Sequence, residues 1–202
     1  MSTENKKALV LIADGSEEME AVISSNASYE LDVLRRASIE VTVAGVALKE
    51  QTFATCSRGV KIIPDVPFEN LWPTVSPDTF DVIIVPGGLG GAKTISSNEH
   101  VQKLLANAHQ SGKIVAAICA GPISIKSSNI NKGGSITCHP VVQKELETEY
   151  QFREDRAIVD NNVITSRGPG TAFLFALTIV EQLLGKEKRD EISPPMFLAS
   201  TL

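Results

Sequence analysis

The chain has 202 residues, of which 43% are apolar and 21% charged, and its 19 basic and 24 acidic side chains give a formal net charge of −5. This length and composition indicate one soluble globular domain and exclude a long disordered chain. No apolar run approaches the roughly 18 residues of a membrane span, and no secretory signal precedes the first strand, so we expect a cytoplasmic protein. Mild acidity without a basic block argues against nucleic acid as a main partner.

The predicted elements alternate between short apolar strands and helices. In chain order they are a buried strand at 7–13, a helix opening at 16–20, strands at 39–45, 81–86 and 113–118 with a helix at 101–108 between the last two, a hairpin at 156–166 and an apolar helix at 171–184. Ser16 is predicted to cap the first helix, with Met19 on its buried face. This alternation predicts an α/β fold, with a mostly parallel sheet and helices on both faces, in a single domain over 1–202.

Three strand ends carry residues suited to chemistry. The first strand runs into the acidic turn at 14–20, the third into Pro86-Gly87-Gly88 and the fourth into Cys119-Ala120-Gly121. Ligands of parallel sheets bind outside the carboxyl ends of the strands. We therefore expect the functional site where these ends meet.

The cysteines indicate a reactive thiol rather than a disulfide framework or a zinc site. Cys56, Cys119 and Cys138 are few and widely spaced, and no C-x-x-C pair is present. Small residues around Cys119 allow a sharp turn from strand to helix, where a helix N-terminus favours a thiolate, so Cys119 is predicted to be the most acidic of the three thiols. The alternative is a buried structural cysteine.

Three further features could assist a cysteine at this edge. Glu20 lies in a first helical turn, where acids usually complement the helix dipole, but beside Cys119 it could share a proton with the sulfur. His139 precedes a proline and is either a turn residue or a base for the cysteine. Gly87 and Gly88 could present N–H groups to an oxyanion, or simply make a tight turn.

Taken together, these residues resemble the DJ-1/PfpI superfamily, and in particular its eukaryotic DJ-1 branch. The resemblance covers nearly the whole chain and rests on segments in a shared order, among them 17–20, 32–37, 56–58, 86–88, 116–122, 139–140 and 164–171. It implies a flavodoxin-like sandwich that forms a homodimer. No cofactor or metal is implied, and the resemblance allows the nucleus and mitochondria as locations besides the cytoplasm.

The resemblance also implies roles for single residues. Cys119 would be the nucleophile, Glu20 a protonated partner hydrogen-bonded to it, and His139 a further catalytic residue. The backbone of Gly88 and Ala120 would form the oxyanion pocket. Gly87 and Gly88, together with Arg58, would contact the substrate.

The activity implied by the resemblance is a cofactor-free glyoxalase or deglycase. Its substrates would be methylglyoxal and glyoxal, or their early glycation adducts, and Cys119 would double as a peroxide sensor that stops at sulfinic acid. Cys119 would attack the aldehyde, and either Glu20 or His139 would move the proton. Two alternatives stay open: a non-enzymatic, redox-regulated chaperone or signalling protein, and a cysteine peptidase, which would need a histidine hydrogen-bonded to the thiol.

Two stretches bear on the expected homodimer. The segment 24–31 is an unusual insertion relative to the family pattern, and Ile63 stands where the branch can carry an interface cysteine. The helix at 171–184 is apolar nearly all round, so we expect it to be covered on more than one side, in part by a second copy.

Overall fold

The structure, a computed structural model, describes residues 5–24, 33–76 and 78–199. Apart from Ser24, the insertion at 24–31 therefore lies outside the described residues. The strands are β1 (Lys7–Ile12), β2 (Glu40–Gly45), β3 (Ala54–Thr55), β4 (Lys61–Ile62), β5 (Val66–Pro67), β6 (Val82–Val85), β7 (Ile114–Ile118), β8 (Ser135–Ile136), β9 (Gln151–Phe152), β10 (Ala157–Asp160) and β11 (Val163–Ser166). The helices are α1 (Glu18–Ser24), α2 (Val33–Arg36), α3 (Phe68–Leu71), α4 (Leu89–Ser97), α5 (Glu99–Gln110), α6 (Ile123–Ser127), α7 (Pro140–Leu146), α8 (Ala172–Leu184) and α9 (Lys186–Ile192).

A seven-stranded sheet in the order β10-β11-β7-β6-β1-β2-β5 forms the centre of the fold. All neighbours pair in parallel except β10 and β11, which form the predicted hairpin. The four strands predicted at 7–13, 39–45, 81–86 and 113–118, now β1, β2, β6 and β7, match within one residue at each end. The predicted α/β flavodoxin-like fold with a mostly parallel sheet is confirmed.

Each face of the sheet carries its own apolar core because successive strand side chains point to opposite faces. In β1, Ala8, Val10 and Ile12 pack with α1, α2 and α8 on one face. Leu9 and Leu11 pack with α4, α5 and α6 on the other. Helices thus cover both faces, and the carboxyl ends of β1, β6 and β7 meet at one edge.

The first helix begins differently from its prediction. The hydroxyl of Ser16 does not cap it but accepts the N–H of Ala13 at 3.0 Å, closing the turn after β1. The capping group is the side chain of Glu17, whose Oε2 accepts the N–H of Glu20 at 2.8 Å. The helix starts one residue later than expected, and Met19, predicted on its buried face, is 51% exposed, whereas Glu20 is fully buried.

The apolar helix α8 is covered largely by the chain itself. It packs against α1, α2, α9 and β11, which together bury its several faces. Among the described residues of α8, the only large apolar side chain that is exposed is that of its last residue, Leu184. The expectation that a second copy covers α8 is therefore not supported by this helix, and any argument for a homodimer has to come from another surface.

Candidate active site

Cys119 occupies a strained elbow at the end of β7. Its φ is +63°, a left-handed conformation that a residue with a Cβ rarely adopts. Its N–H donates to the carbonyl of Ser166 at 2.9 Å, and its carbonyl accepts the N–H of His139 at 2.8 Å. At Gly121 a Cβ would lie 2.5 Å from the carbonyl oxygen of Val85, so the chain can leave the elbow there only through glycine. The surrounding backbone thus holds the thiol in place.

The turn after β6 closes around the sulfur. A Cβ at Gly87 would overlap the Cβ of Cys119 and lie 2.5 Å from Oε2 of Glu20, so this position requires glycine. Gly88 has a φ of +80° and presses against the turn after β1. The backbone N–H groups of Gly88 and Ala120 face the sulfur of Cys119 and lower the pKa of its thiol. Two donors therefore converge where negative charge would develop.

Glu20 is fully buried beside this thiol. Its Oε2 accepts the N–H of Gly87 at 2.7 Å, and its carboxyl group interacts with the thiol of Cys119. Oε1 is buried without a hydrogen-bond partner in the described part of the chain. Burial raises the pKa of Glu20 to about 7, the Glu17 carboxylate adds to the rise, and the contacts with Gly87 and Cys119 oppose it.

The thiol and the carboxyl group titrate as a pair. Burial raises the pKa of Cys119 to about 12, and the charge of Glu20 contributes to this rise. The pair therefore releases one proton near neutrality and retains the second to high pH, so two one-proton states are possible. Either Glu20 is ionised beside a thiol, or Glu20 is protonated beside a thiolate.

The prediction that Cys119 is the most acidic of the three thiols is wrong when Glu20 carries the charge. Burial raises the pKa of Cys56 and of Cys138 to about 11, below that of Cys119. The prediction relied on a helix dipole, but α6 begins four residues after the cysteine, at Ile123, and is only five residues long. Burial and the neighbouring carboxylate outweigh so short a helix.

The backbone of His139 is hydrogen-bonded to Cys119, but its side chain caps a helix. It is the N-cap residue of α7, and its Nδ1 accepts the N–H of Val141 at 3.2 Å. Among the described residues, no hydrogen bond joins its imidazole to the sulfur. The histidine–thiol contact that a peptidase would require is therefore not formed.

Among the described residues, Arg58 makes no hydrogen bond to Cys119 or Glu20. Its side chain is exposed, and its Nη1 donates to the carbonyl of Ser57 at 3.3 Å. Its backbone N–H donates to Glu18, whose carboxylate also accepts the hydroxyl of Ser57 at 2.8 Å. The structure thus brings Cys119 together with Glu20 and the glycine turn, whereas contact between Arg58 and a substrate stays a prediction.

Sequence reasoning treated Glu17 and Glu18 only as acids of a first helical turn. Burial alone would raise the pKa of Glu18, but hydrogen bonds from its own backbone, from Ser57 and from Arg58 lower it. Glu18 therefore anchors the neighbouring loop, while Glu17 contacts the turn that carries Glu20. In the sequence, the only indication of these roles is the cluster of four acidic residues within positions 14–20.

Other binding features lie away from this site. In residues 5–24, 33–76 and 78–199 no group of three or more His, Cys, Asp or Glu side chains is placed to hold a metal ion. A cavity of about 600 Å³ lies at the carboxyl ends of β2 and β5, lined among others by Leu48, Gln51 and Glu69, and it includes none of the residues around the thiol. None of the described helices is long and apolar enough to cross a membrane.

The structure therefore defines an α/β protein with a parallel sheet in which a buried carboxyl group and two backbone donors converge on a cysteine in a strand-to-helix elbow. The model of the DJ-1/PfpI family matches residues 6–182, and the chain belongs to this family.

Individual members of the family are similar over nearly their whole length. The chain is 42% identical to "Protein dj-1beta" of Drosophila melanogaster over 196 residues, which cover 96% of this chain and 98% of the fly protein. The crystal structure of Drosophila melanogaster DJ-1beta superimposes with a TM-score of 0.87 at 41% identity, covering 97% of this chain and all of that one. "Glutathione-independent glyoxalase DJR-1.2" of Caenorhabditis elegans is 37% identical over 196 residues, 96% of this chain and 97% of that protein.

Proposed function

We propose that the chain is a glutathione-independent glyoxalase that converts methylglyoxal or glyoxal, or their early adducts, to the hydroxy acid through Cys119. The observation that carries the proposal is the buried carboxyl group of Glu20, with a pKa of about 7, in contact with a thiol that also faces two backbone N–H groups. Such a pair can hold a thiolate and a proton donor side by side at neutral pH. The name of the nematode relative supports this choice of substrates.

The reaction balances without an external oxidant or cofactor. The sulfur of Cys119 adds to the aldehyde carbon of methylglyoxal, and the carbonyl oxygen takes up a proton, which gives a hemithioacetal. A proton leaves the former aldehyde carbon and the ketone oxygen takes one up, which gives an enediol. A proton is then delivered to the former ketone carbon, and the hydroxyl on the former aldehyde carbon loses its proton, which gives the thioester. Water then cleaves the thioester to lactate and restores the thiol. The N–H groups of Gly88 and Ala120 would stabilise the oxyanion formed at the first step.

We assign the proton transfers to Glu20 rather than to His139. Glu20 interacts with the sulfur, and its buried Oε1 has no hydrogen-bond partner within the described residues, so this atom is free to hold a proton for the substrate. His139 uses Nδ1 to cap α7. A pKa near 7 lets the same carboxyl group act as an acid in one step and a base in the next.

The test is lactate production from methylglyoxal without glutathione, measured for the wild type, Cys119→Ser and the matched control Cys56→Ser. We expect Cys119→Ser to fall to the uncatalysed rate and Cys56→Ser to keep its turnover, because Cys56 lies outside the site. A wild type without turnover, or an active Cys119→Ser, would refute the proposal. The first outcome would favour the non-enzymatic alternative, a redox-regulated chaperone or signalling protein.

The same geometry supports a second candidate function, the sensing of peroxide. Attack of the Cys119 thiolate on hydrogen peroxide gives a sulfenic acid and water, and a second peroxide gives a sulfinic acid and water. The unpartnered Oε1 of Glu20, when protonated, could donate to a sulfinate oxygen, a charge-assisted bond of roughly 1.5–3 kcal/mol.

Peptide mass spectrometry after graded peroxide tests this second function. We expect two added oxygens on Cys119, with Cys56 and Cys138 largely reduced, and a shift toward other oxidation states in Glu20→Gln. Cys119 and Cys138 belong to the cores on opposite faces of the sheet, so a disulfide between them is not expected. A dominant Cys119–Cys138 disulfide would instead define a dithiol switch.

We further propose that the protein is a homodimer. Three large apolar side chains are exposed near the site, Met19 at 51%, Val60 at 48% and Ile63 at 68%. Strands β3 and β4 form a hairpin, and the loop between them is hydrogen-bonded to Ser16 and Glu18. These bonds place α1 beside the hairpin, so the three exposed side chains belong to one region of the surface. Sedimentation at micromolar concentration should give twice the chain mass, and Met19→Lys should lower it. A strict monomer would contradict the proposal.

A further inference from the structure

Three hydrogen bonds close a triangle around the carboxyl group of Glu20. The N–H of Glu17 donates to the carbonyl of Gly87 at 2.9 Å. The N–H of Gly87 donates to Oε2 of Glu20 at 2.7 Å. The N–H of Glu20 donates to Oε2 of Glu17 at 2.8 Å. Each residue of the triangle both donates and accepts, so the position of the Glu20 carboxyl group depends on the side chain of Glu17.

The triangle connects the turn after β1 to the turn after β6, and the space there admits little adjustment. A Cβ at Gly88 would lie 2.5 Å from the nitrogen of Glu17, and a Cβ at Gly91 would lie 2.5 Å from Oγ of Ser16. The two turns are therefore in close backbone contact. The side chain of Glu17, which orders the turn after β1, therefore also fixes the distance from this turn to Cys119.

Glu17 also contributes a charge. It is half-buried and lies in the same turn as Glu20, and its carboxylate disfavours a second negative charge there. The other charged side chains on α1 and on the elements around it are exposed or bound to other partners: Glu18 on α1, Arg35 and Arg36 on α2, Arg58 in the loop after β3 and Glu181 on α8. Cys119 is the remaining titratable group facing Glu20 among the described residues.

We propose that Glu17 is a positioning residue of the site: its carboxylate fixes the turn that carries Glu20, and its charge directs the shared proton onto Glu20, which leaves the negative charge on the sulfur of Cys119. This inference rests on the proposed role of Cys119 as a nucleophile. It assigns a task to an acid that would otherwise only complement a helix dipole. Glu17 touches neither the sulfur nor the substrate, and it acts through Glu20.

The test is the pH dependence of Cys119 alkylation by iodoacetamide, followed by peptide mass spectrometry. In the wild type the rate should rise through about pH 7, where the pair releases its first proton, to a plateau. Glu17→Gln keeps an oxygen that can cap the turn but loses the charge. Its midpoint should move to lower pH, and its plateau should be roughly two- to fivefold lower, because the proton returns from Glu20 to sulfur.

Further variants separate the two parts of the proposal. Glu17→Asp keeps both a capping oxygen and the charge, so it should restore the midpoint and the plateau. Glu17→Ala loses both, and its melting temperature shows whether the turn still folds. Glu99→Gln is the matched control, since Glu99 is an exposed acid in the first turn of α5.

A wild-type profile in Glu17→Gln, or an equal shift in Glu99→Gln, would overturn the inference. Alkylation does not use methylglyoxal, so a shifted profile in a protein that lacks glyoxalase turnover would reject the proposed function and retain this inference.

Discussion

Two carboxyl groups lie at opposite ends of the central sheet, and their surroundings differ. Asp81, at the amino ends of the strands, lies 3.2 Å from Nζ of Lys6 and 3.5 Å from Nζ of Lys113, and accepts the N–H of Lys7 at 3.0 Å. Glu20, at the carboxyl ends, has no cation beside it in the described structure, and one of its oxygens has no partner.

The pKa values follow from these surroundings. Burial works against the charge of Asp81, but the N–H of Lys7 and the two lysine side chains lower its pKa. Burial dominates at Glu20 and raises its pKa to about 7. A carboxyl group supplied with cations ties strands together, whereas one deprived of them keeps a proton that a reaction can use. We call the end with Asp81 the structural end of the sheet, and the end with Glu20, where the proposed reaction would take place, its chemical end.

The largest expected difference between the two ends is in turnover. Glu20→Gln removes the proton donor but keeps the size of the side chain, so methylglyoxal turnover should fall by roughly 10²- to 10⁴-fold. Its resistance to urea should not fall at pH 7, because a buried carboxyl group with one unpartnered oxygen is replaced by a neutral amide. Steady-state lactate assays and urea titrations measure both. Full turnover in Glu20→Gln would remove Glu20 from the proton path.

The next effect is the pH dependence of stability at Glu20. The pKa of Glu20 is higher in the folded protein than in the unfolded chain. Its contribution to the free energy of unfolding is therefore complete below the unfolded-state pKa of about 4.3 and is lost as the pH rises to about 7. The unfolding free energy of the wild type minus that of Glu20→Gln should therefore decrease by roughly 3 kcal/mol between pH 4 and 7.5. Urea titrations at several pH values measure it. If this difference does not change with pH, the surroundings of Glu20 do not raise its pKa.

Asp81 should behave in the opposite way. Asp81→Asn leaves Lys6 and Lys113 facing each other, so it should destabilise the fold by about 1–3 kcal/mol at pH 7 and leave turnover unchanged. Because the folded pKa is lowered, the benefit of the wild-type carboxylate is present above about pH 3.9 and lost as the pH falls through the folded value. A drop in turnover at full stability would show that the two ends are coupled.

The sequence was sufficient to predict which residues meet, because this follows from topology. The carboxyl ends of parallel strands lie at one edge, so residues that follow β1, β6 and β7 had to converge, and Glu20, Gly87 and Cys119 do so. The order of the pKa values was not predictable in this way. It depends on how completely each group is buried and on whether a cation is nearby, and both are properties of side chains from distant segments.

The helix start shows the same limit on a smaller scale. Serine is a common N-cap, so the sequence favoured Ser16, but the tight turn after β1 uses its hydroxyl for Ala13. The cap moves to Glu17, and in the helix that follows Glu20 is buried beside the sulfur and Met19 is exposed to solvent. Local preference alone could not decide between two adjacent capping residues, because a tertiary contact decides it.

The smallest expected effect concerns His139, the residue at the chemical end that the structure ties to a structural task. His139→Ala removes the acceptor that caps α7, so we expect a loss of about 1 kcal/mol in unfolding free energy and a turnover reduced less than tenfold. His139→Asn is the sharper variant, because asparagine caps helices well but cannot exchange a proton near neutrality. If His139 acts only as a cap, His139→Asn should recover both the stability and the turnover that His139→Ala loses. Recovered stability with turnover as low as in Glu20→Gln would assign the proton transfer to the imidazole instead, and would place a second reactive group at this end of the sheet.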